Sequence, residues 1–113
     1  MDRPKVFVTH EVPTANYAPA EEWGEVTFLS VAEISGVPNS LHNRKLIAAI
    51  RDRMKEFDPK RDYIAPSGSP IITGIVFAIA REKTTIFNVL KWNSRDSAYT
   101  CATIDISENS LVY

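Results

Sequence analysis

The chain has 113 residues, 44% of them hydrophobic and 24% charged, with a formal net charge of −1. That length suits a single domain, 1–113, with one core, and the composition excludes a disordered chain and a strongly basic nucleic-acid binder, though not a local basic face. One cysteine, Cys101, excludes an internal disulfide framework, and with only two histidines it argues against an all-Cys/His zinc site.

Residues 5–12 read as a strand, with Val6, Phe7 and Val8 as β-formers. Residues 13–24 form a loop with room for one helical turn at 19–23, started by Pro19 and stopped by Gly24. Residues 25–30 alternate as a second strand, and 31–39 connect it to a helix capped by Asn39 or Ser40. From 41 to 57, Leu46, Ile47, Ile50, Met54 and Phe57 fall on one stripe, an amphipathic helix that Pro59 ends. Residues 62–66 make a short strand ending at Pro66.

Residues 70 to about 82 are apolar all round, so periodicity does not decide between helix and strand. Ser69 as cap, Pro70 as first residue and the length favour a helix, one that needs cover on several sides. Residues 84–92 form a strand, 93–97 a hairpin turn, and 98–106 the returning strand, in which Cys101 reads as a small hydrophobe. The tail 107–113 ends in Leu111, Val112 and Tyr113 and could add an edge strand or pack in a dimer.

Two strand–helix–strand units imply parallel pairing with right-handed crossovers. The expected fold is α/β: a small, open, mostly parallel but mixed sheet of about five strands with two main helices, a partial Rossmann-like or flavodoxin-like arrangement with the first strand central. The longest apolar run, about eleven residues, falls short of the about 20 that a membrane span needs. With no leader pattern at 1–5, the expectation is a soluble cytoplasmic protein, in the host cytoplasm if viral, with no membrane association.

In such sheets ligands sit beyond the carboxyl ends of the strands, where the strand order reverses. That places a crevice between the first strand and the 62–66 strand. Ser67, Gly68 and Ser69 open the following helix and, with Asn16, are the candidate ligand-binding residues, because free N–H groups and the helix dipole favour an anion there. Pro70 removes one of those donors and no lysine follows, so this is not a Walker-type loop. His10, at a strand end beside Glu11, is the candidate general base, with Glu11 as its companion. Tyr17 and Trp23 in the long loop are candidate partner anchors. Arg44, Arg51 and Lys55 line one helix face and are the alternative nucleic-acid contacts, though acidic neighbours interleave with them. Tyr63, Phe87, Trp92 and Tyr99 read as core aromatics, or as stacking platforms on a sheet face. No metal ligands and no cofactor are expected.

The stretch "FDPKRDYIAPSGSPIITGIVFAIA" followed by "NVLKWNSRDSAYT" resembles small proteins of phages and other mobile elements, over residues 57–100. The resemblance implies a viral or accessory origin and assigns no activity and no catalytic residue. The first functional expectation is a non-enzymatic protein that binds a host or viral protein. The alternatives are a nucleotide or phosphate-ligand binder, with a phosphodiester hydrolase as its catalytic form, and a nucleic-acid binder through the basic helix face. A homodimer is expected, because the apolar second helix and the open sheet edges need cover.

Overall fold

In the computed structural model residues 3–108 are described. The elements are β1 (Lys5–Val8), a 3₁₀ turn (Ala18–Glu22), β2 (Glu25–Phe28), α1 (Leu41–Met54), β3 (Tyr63–Ala65), α2 (Pro70–Ala80), β4 (Ile86–Asn93) and β5 (Ala98–Asp105). One five-stranded sheet runs in the order β2-β1-β3-β4-β5, parallel except for the closing β4–β5 hairpin. This is the mixed α/β sheet with two helices and a central first strand that the sequence implies.

The strand ends differ from expectation for visible reasons. β1 stops at Val8 rather than at 12: Thr9 N–H still reaches Ala65 C=O at 3.1 Å, but Glu11 N–H turns to Ser30 C=O at 2.8 Å as the chain bends across β2. The hairpin turn closes on itself. Asn93 accepts from Arg95 N–H and donates to Asp96, while Ser97 takes φ 49°, so Trp92 faces Tyr99 across the ladder. Residues 109–113, where an edge strand or dimer contact was expected, lie outside the described residues.

Both helices start on serine caps. Ser40 Oγ accepts from Asn43 N–H and Ser69 Oγ from Ile72 N–H, each at 3.3 Å. α1 turns Ile50 and Met54 inward, followed by Phe57, and α2 turns in Ile72, Val76, Ile79 and Ala80. With Phe7, Ile64 and Phe87 these form the core between helices and sheet, closed by edge-to-face pairs of Phe7 with Phe57 and Phe77 with Phe87. α2 is not covered all round as its composition suggested: Ile71, Gly74 and Ala78 are exposed. Cys101 is likewise exposed, not buried, because it sits on the outermost strand.

The second sheet face carries a smaller core of Val6, Val8, Ala20, Ala65 and Leu90, flanked by Tyr17, Trp23, Phe28, Tyr63 and Tyr99. Among the described residues no α-helix covers it. The 3₁₀ turn lies there instead and touches both edge strands, β2 and β5, so the sheet curls around it.

Two polar clamps hold the end of the sheet away from the candidate site. Asp62 is wholly buried; its oxygens accept from Lys5 N–H (2.9 Å), Asp58 N–H (2.8 Å) and Arg61 Nε (3.2 Å). One carboxylate thus joins the starts of β1 and β3 to the chain leaving α1. The Lys83 ammonium donates to the carbonyls of Met54, Lys55 and Phe57 at 2.9–3.0 Å, satisfying groups that a helix end leaves bare. Asp62→Ala takes the carboxylate acceptor from the part-buried Lys5 and Asp58 N–H groups and is expected to lower stability by about 2 kcal/mol. Asp62→Asn, which keeps an acceptor oxygen, is expected to cost less; urea denaturation of both variants measures the difference.

Candidate functional site

The order reverses between β1 and β3, so the carboxyl ends of these strands, at Val8 and Ala65, flank the switch point. Thr9 organises it. Its hydroxyl accepts from Ser67 N–H and donates to Ser67 C=O, both at 2.9 Å, and its remaining lone pair meets Thr73 Oγ1 at 2.9 Å. One buried hydroxyl with every hydrogen-bonding capacity used ties β1 to the β3–α2 turn and to the first turn of α2.

That turn is occupied by its own contacts. Ser67 gives its N–H to Thr9 and shares a 2.7 Å hydrogen bond between its hydroxyl and Tyr17 Oη. Ser69 caps Ile72 N–H through its hydroxyl, and Thr73 N–H goes to Ser69 C=O. Gly68 has φ 67°, and a Cβ there would lie 2.3 Å from His10 Cδ2. A glycine is needed here because the backbone is left-handed and the His10 ring lies where a Cβ would go.

His10 is buried. Its Nε2 lies 3.2 Å from Glu33 Oε1, and its Nδ1 lies 3.5 Å from Ser30 Oγ. Ser30 donates its own proton to Ala32 C=O at 2.9 Å, so it can only accept from Nδ1. The ring therefore has an oxygen neighbour at each nitrogen. Its carboxylate neighbour is Glu33 and not Glu11, whose described hydrogen bond is the backbone bond to Ser30.

The concave space lies to one side of this plug, on the face that carries no α-helix. A cavity of about 580 Å³ is lined by Ala15, Asn16, Tyr17, Pro19, Pro66, Ser67, Trp92, Ser97 and Tyr99. Of the residues singled out from sequence, it brings together Asn16, Tyr17 and Ser67; His10, Glu11, Gly68, Ser69 and Trp23 are not in its lining. Tyr17 is its pivot: the phenol oxygen accepts from Val12 N–H at 2.8 Å and its ring packs edge-on against Phe28. Asn16 Oδ1 accepts from Ala18 N–H at 3.0 Å, starting the 3₁₀ turn and leaving its amide nitrogen as a donor at the rim. Trp92 and Tyr99, 5.0 Å apart and edge-to-face, form the far wall. Burial first, and the neighbouring Tyr17 second, push the Tyr99 phenol above its ordinary pKa.

Trp92 and Tyr99 were weighed in the sequence mainly as core. The signal that locates them is the hairpin register, which sets them directly opposite each other on one face. Trp23 is half-buried and packs edge-on against Tyr63 at 5.5 Å, pinning the end of the loop. On α1, Arg44 is exposed, Lys55 lies 3.4 Å from Asp52, and Arg51 forms a two-pronged pair with Glu82 at 2.8–2.9 Å. That hydrogen-bonded contact holds the Glu82 carboxyl below its ordinary range. Among the described residues no group of three or more His, Cys, Asp or Glu could hold a metal ion, and no helix is long and apolar enough to cross a membrane.

Curled mixed sheet, two helices on one face and an uncharged aromatic cavity beside the switch point define a small α/β protein. Its lineage is also clear. A family model described as Phage Pam3 gp32-like protein matches residues 4–106, and the chain belongs to that family. It is therefore a phage protein, and the match extends well beyond the 57–100 stretch that carries the resemblance in the sequence. No curated protein and no solved structure matches it.

Two outcomes follow from this geometry. Thr9→Val removes the hydroxyl from three partners at nearly constant volume and is expected to cost about 2–4 kcal/mol in urea denaturation, whereas Thr9→Ser keeps the hydroxyl and costs about 1 kcal/mol. For Tyr99, the folded-state pKa lies above the unfolded one, so its contribution is complete below the unfolded value and is lost as pH rises through the folded one. Stability is expected to fall above pH about 10, and part of that fall is expected to disappear in Tyr99→Phe.

Proposed function

We propose that this phage protein is a non-enzymatic binding protein, and that it engages a protein partner through the cavity between the 13–19 loop and the β4–β5 hairpin. One observation carries the reading: the cavity lining contains no histidine, cysteine, carboxylate, lysine or arginine. General acid–base and nucleophilic chemistry at neutral pH draws on such groups. The nearest imidazole, His10, is buried against Gly68 with both nitrogens facing acceptors.

What the cavity does offer is aromatic and proline surface with a few hydroxyl and amide groups. Rigid aromatic side chains give much contact area for little conformational entropy, and Trp and Tyr are enriched among the residues that dominate interfaces. Tyr17 acts directly at the rim. Trp23 acts behind it, by fixing the loop against Tyr63. The same wall supports the nucleotide alternative, since Trp92 and Tyr99 could stack on a base; for a phosphate the lining offers hydroxyl and amide donors but no cationic side chain. The basic face of α1 has weaker support as a nucleic-acid surface, because Arg51 and Lys55 already have acidic neighbours.

The test uses the full chain as bait in lysate of the infected host. A partner retained by the wild type is expected to be lost, by at least about tenfold, with Trp92→Ala and with Tyr99→Ala, whose circular dichroism is expected to remain native. Retention unchanged by both substitutions rejects the cavity as the docking site. Thermal stabilisation by a nucleoside or nucleotide that Trp92→Ala abolishes would move the reading to the alternative.

A further inference from the structure

We infer that the segment this cavity takes is a proline-rich stretch of the partner in the polyproline II conformation, laid between the 13–19 loop and the β4–β5 hairpin with its prolines against the aromatic wall. This rests on the cavity being the docking site, and names the chemistry of what docks there. The lining supplies rigid, flat surface. Tyr17, Trp92 and Tyr99 stand with Pro19 and Pro66 around a space of about 580 Å³. Each of the three rings is held. The Tyr17 phenol oxygen bonds to Val12 N–H and to Ser67 Oγ, and its ring packs on Phe28. Trp92 and Tyr99 pack edge-to-face at 5.0 Å. Polyproline II segments dock in aromatic-lined grooves, and a ligand already fixed in shape loses little entropy on binding.

The polar groups of the lining select the ligand's backbone. Proline has no N–H, and a polyproline II chain makes no internal hydrogen bonds, so its carbonyls need donors from outside and it brings none of its own. Asn16 gives its oxygen to Ala18 N–H at 3.0 Å, which fixes the amide and leaves its nitrogen to donate. The Trp92 indole has only an N–H to give. The Tyr99 phenol, whose pKa is raised by burial and then by Tyr17, stays protonated at neutral pH and donates as well. One of these donors stands on the loop and two on the hairpin, so both sides of the cavity present them.

Other modes of peptide capture ask for something else. An added β-strand needs donors and acceptors along a backbone edge, whereas these donors belong to side chains. A helix is about 10–12 Å across and lays an apolar stripe into an apolar groove, whereas hydroxyl and amide groups interrupt the aromatic surface here. Phosphorylated and acidic motifs are read by arginine clusters, and among the described residues the lining has no charged side chain. Charge complementarity therefore points to an uncharged segment. Prolines separated by small neutral residues are rigid, uncharged and rich in acceptors, which is what the wall matches.

The test titrates acetylated and amidated decaproline into the isotope-labelled full chain and follows the indole N–H signals by NMR. The Trp92 signal is expected to move and that of Trp23 to stay, since only Trp92 lines the cavity, with a Kd on the order of 0.1–1 mM. A glycine–serine peptide of equal length is expected to move neither. Asn16→Asp keeps the oxygen that starts the 3₁₀ turn and loses the amide donor; Trp92→Phe keeps a ring and loses the N–H. Each is expected to weaken binding at least about threefold, followed on the Tyr99 amide. A Trp92 signal unmoved at about 10 mM decaproline, an equal response to glycine–serine, or an affinity that neither substitution lowers would each overturn the inference. The docking site is judged separately. A host partner that Trp92→Ala loses but decaproline does not displace sinks the polyproline assignment alone; a partner indifferent to both Trp92→Ala and Tyr99→Ala sinks the docking site with it.

Discussion

The Thr9 hydroxyl is the constraint on which the working end of this molecule depends. A buried hydroxyl is stable only with its donor and acceptors matched, and Thr9 finds its partners in the two backbone groups of Ser67 and in Thr73. Those contacts fix the β3–α2 turn one residue ahead of Gly68. With the turn fixed, His10 has one place to go, against the α-carbon of Gly68, and Tyr17 has one partner to meet, the Ser67 hydroxyl. The cavity is what remains once these choices are made.

Much of the fold was legible in the chain. The stripe from Leu46 to Phe57 and the Ser69-Pro70 start placed both helices, and the strand–helix alternation placed β1 beside β3. Strand ends were less legible, because they are set by tertiary bends: β1 ends early since Glu11 N–H is drawn to Ser30, which local sequence does not encode. The crevice was legible as a location but not as a shape. Sequence placed Ser67, Gly68, Asn16 and His10 near one another, yet that the His10 ring fills the gap depends on tertiary contacts with Gly68, Ser30 and Glu33. The aromatic wall was legible as a hairpin but not in its register: a 93–97 turn would set Trp92 opposite Ala98, whereas β4 runs on to Asn93 and sets Trp92 opposite Tyr99. Exposure at Cys101 and Ile71 was not legible, because it depends on what lies over an edge strand and over one flank of a helix.

Charge is distributed unevenly over the molecule. Ionic side chains are engaged around the opposite end of the sheet and on the helix face, as in Lys5 with Glu56, Arg61 with Asp62 and Arg51 with Glu82. The cavity beside the switch point is left neutral. A neutral, aromatic-walled site discriminates by shape and hydrogen-bond geometry, and its affinity should respond little to salt, unlike that of a phosphate-reading surface.

The 3₁₀ turn at Ala18–Glu22 touches β2 on one side and β5 on the other. During synthesis, then, a segment made within the first quarter of the chain waits for one made in the last. β1, β2 and α1 can condense early, but the concave face stays unsealed until the β4–β5 hairpin has left the ribosome. The step that closes this face is therefore long-range and late, and a chain interrupted before the hairpin would carry its aromatic side bare.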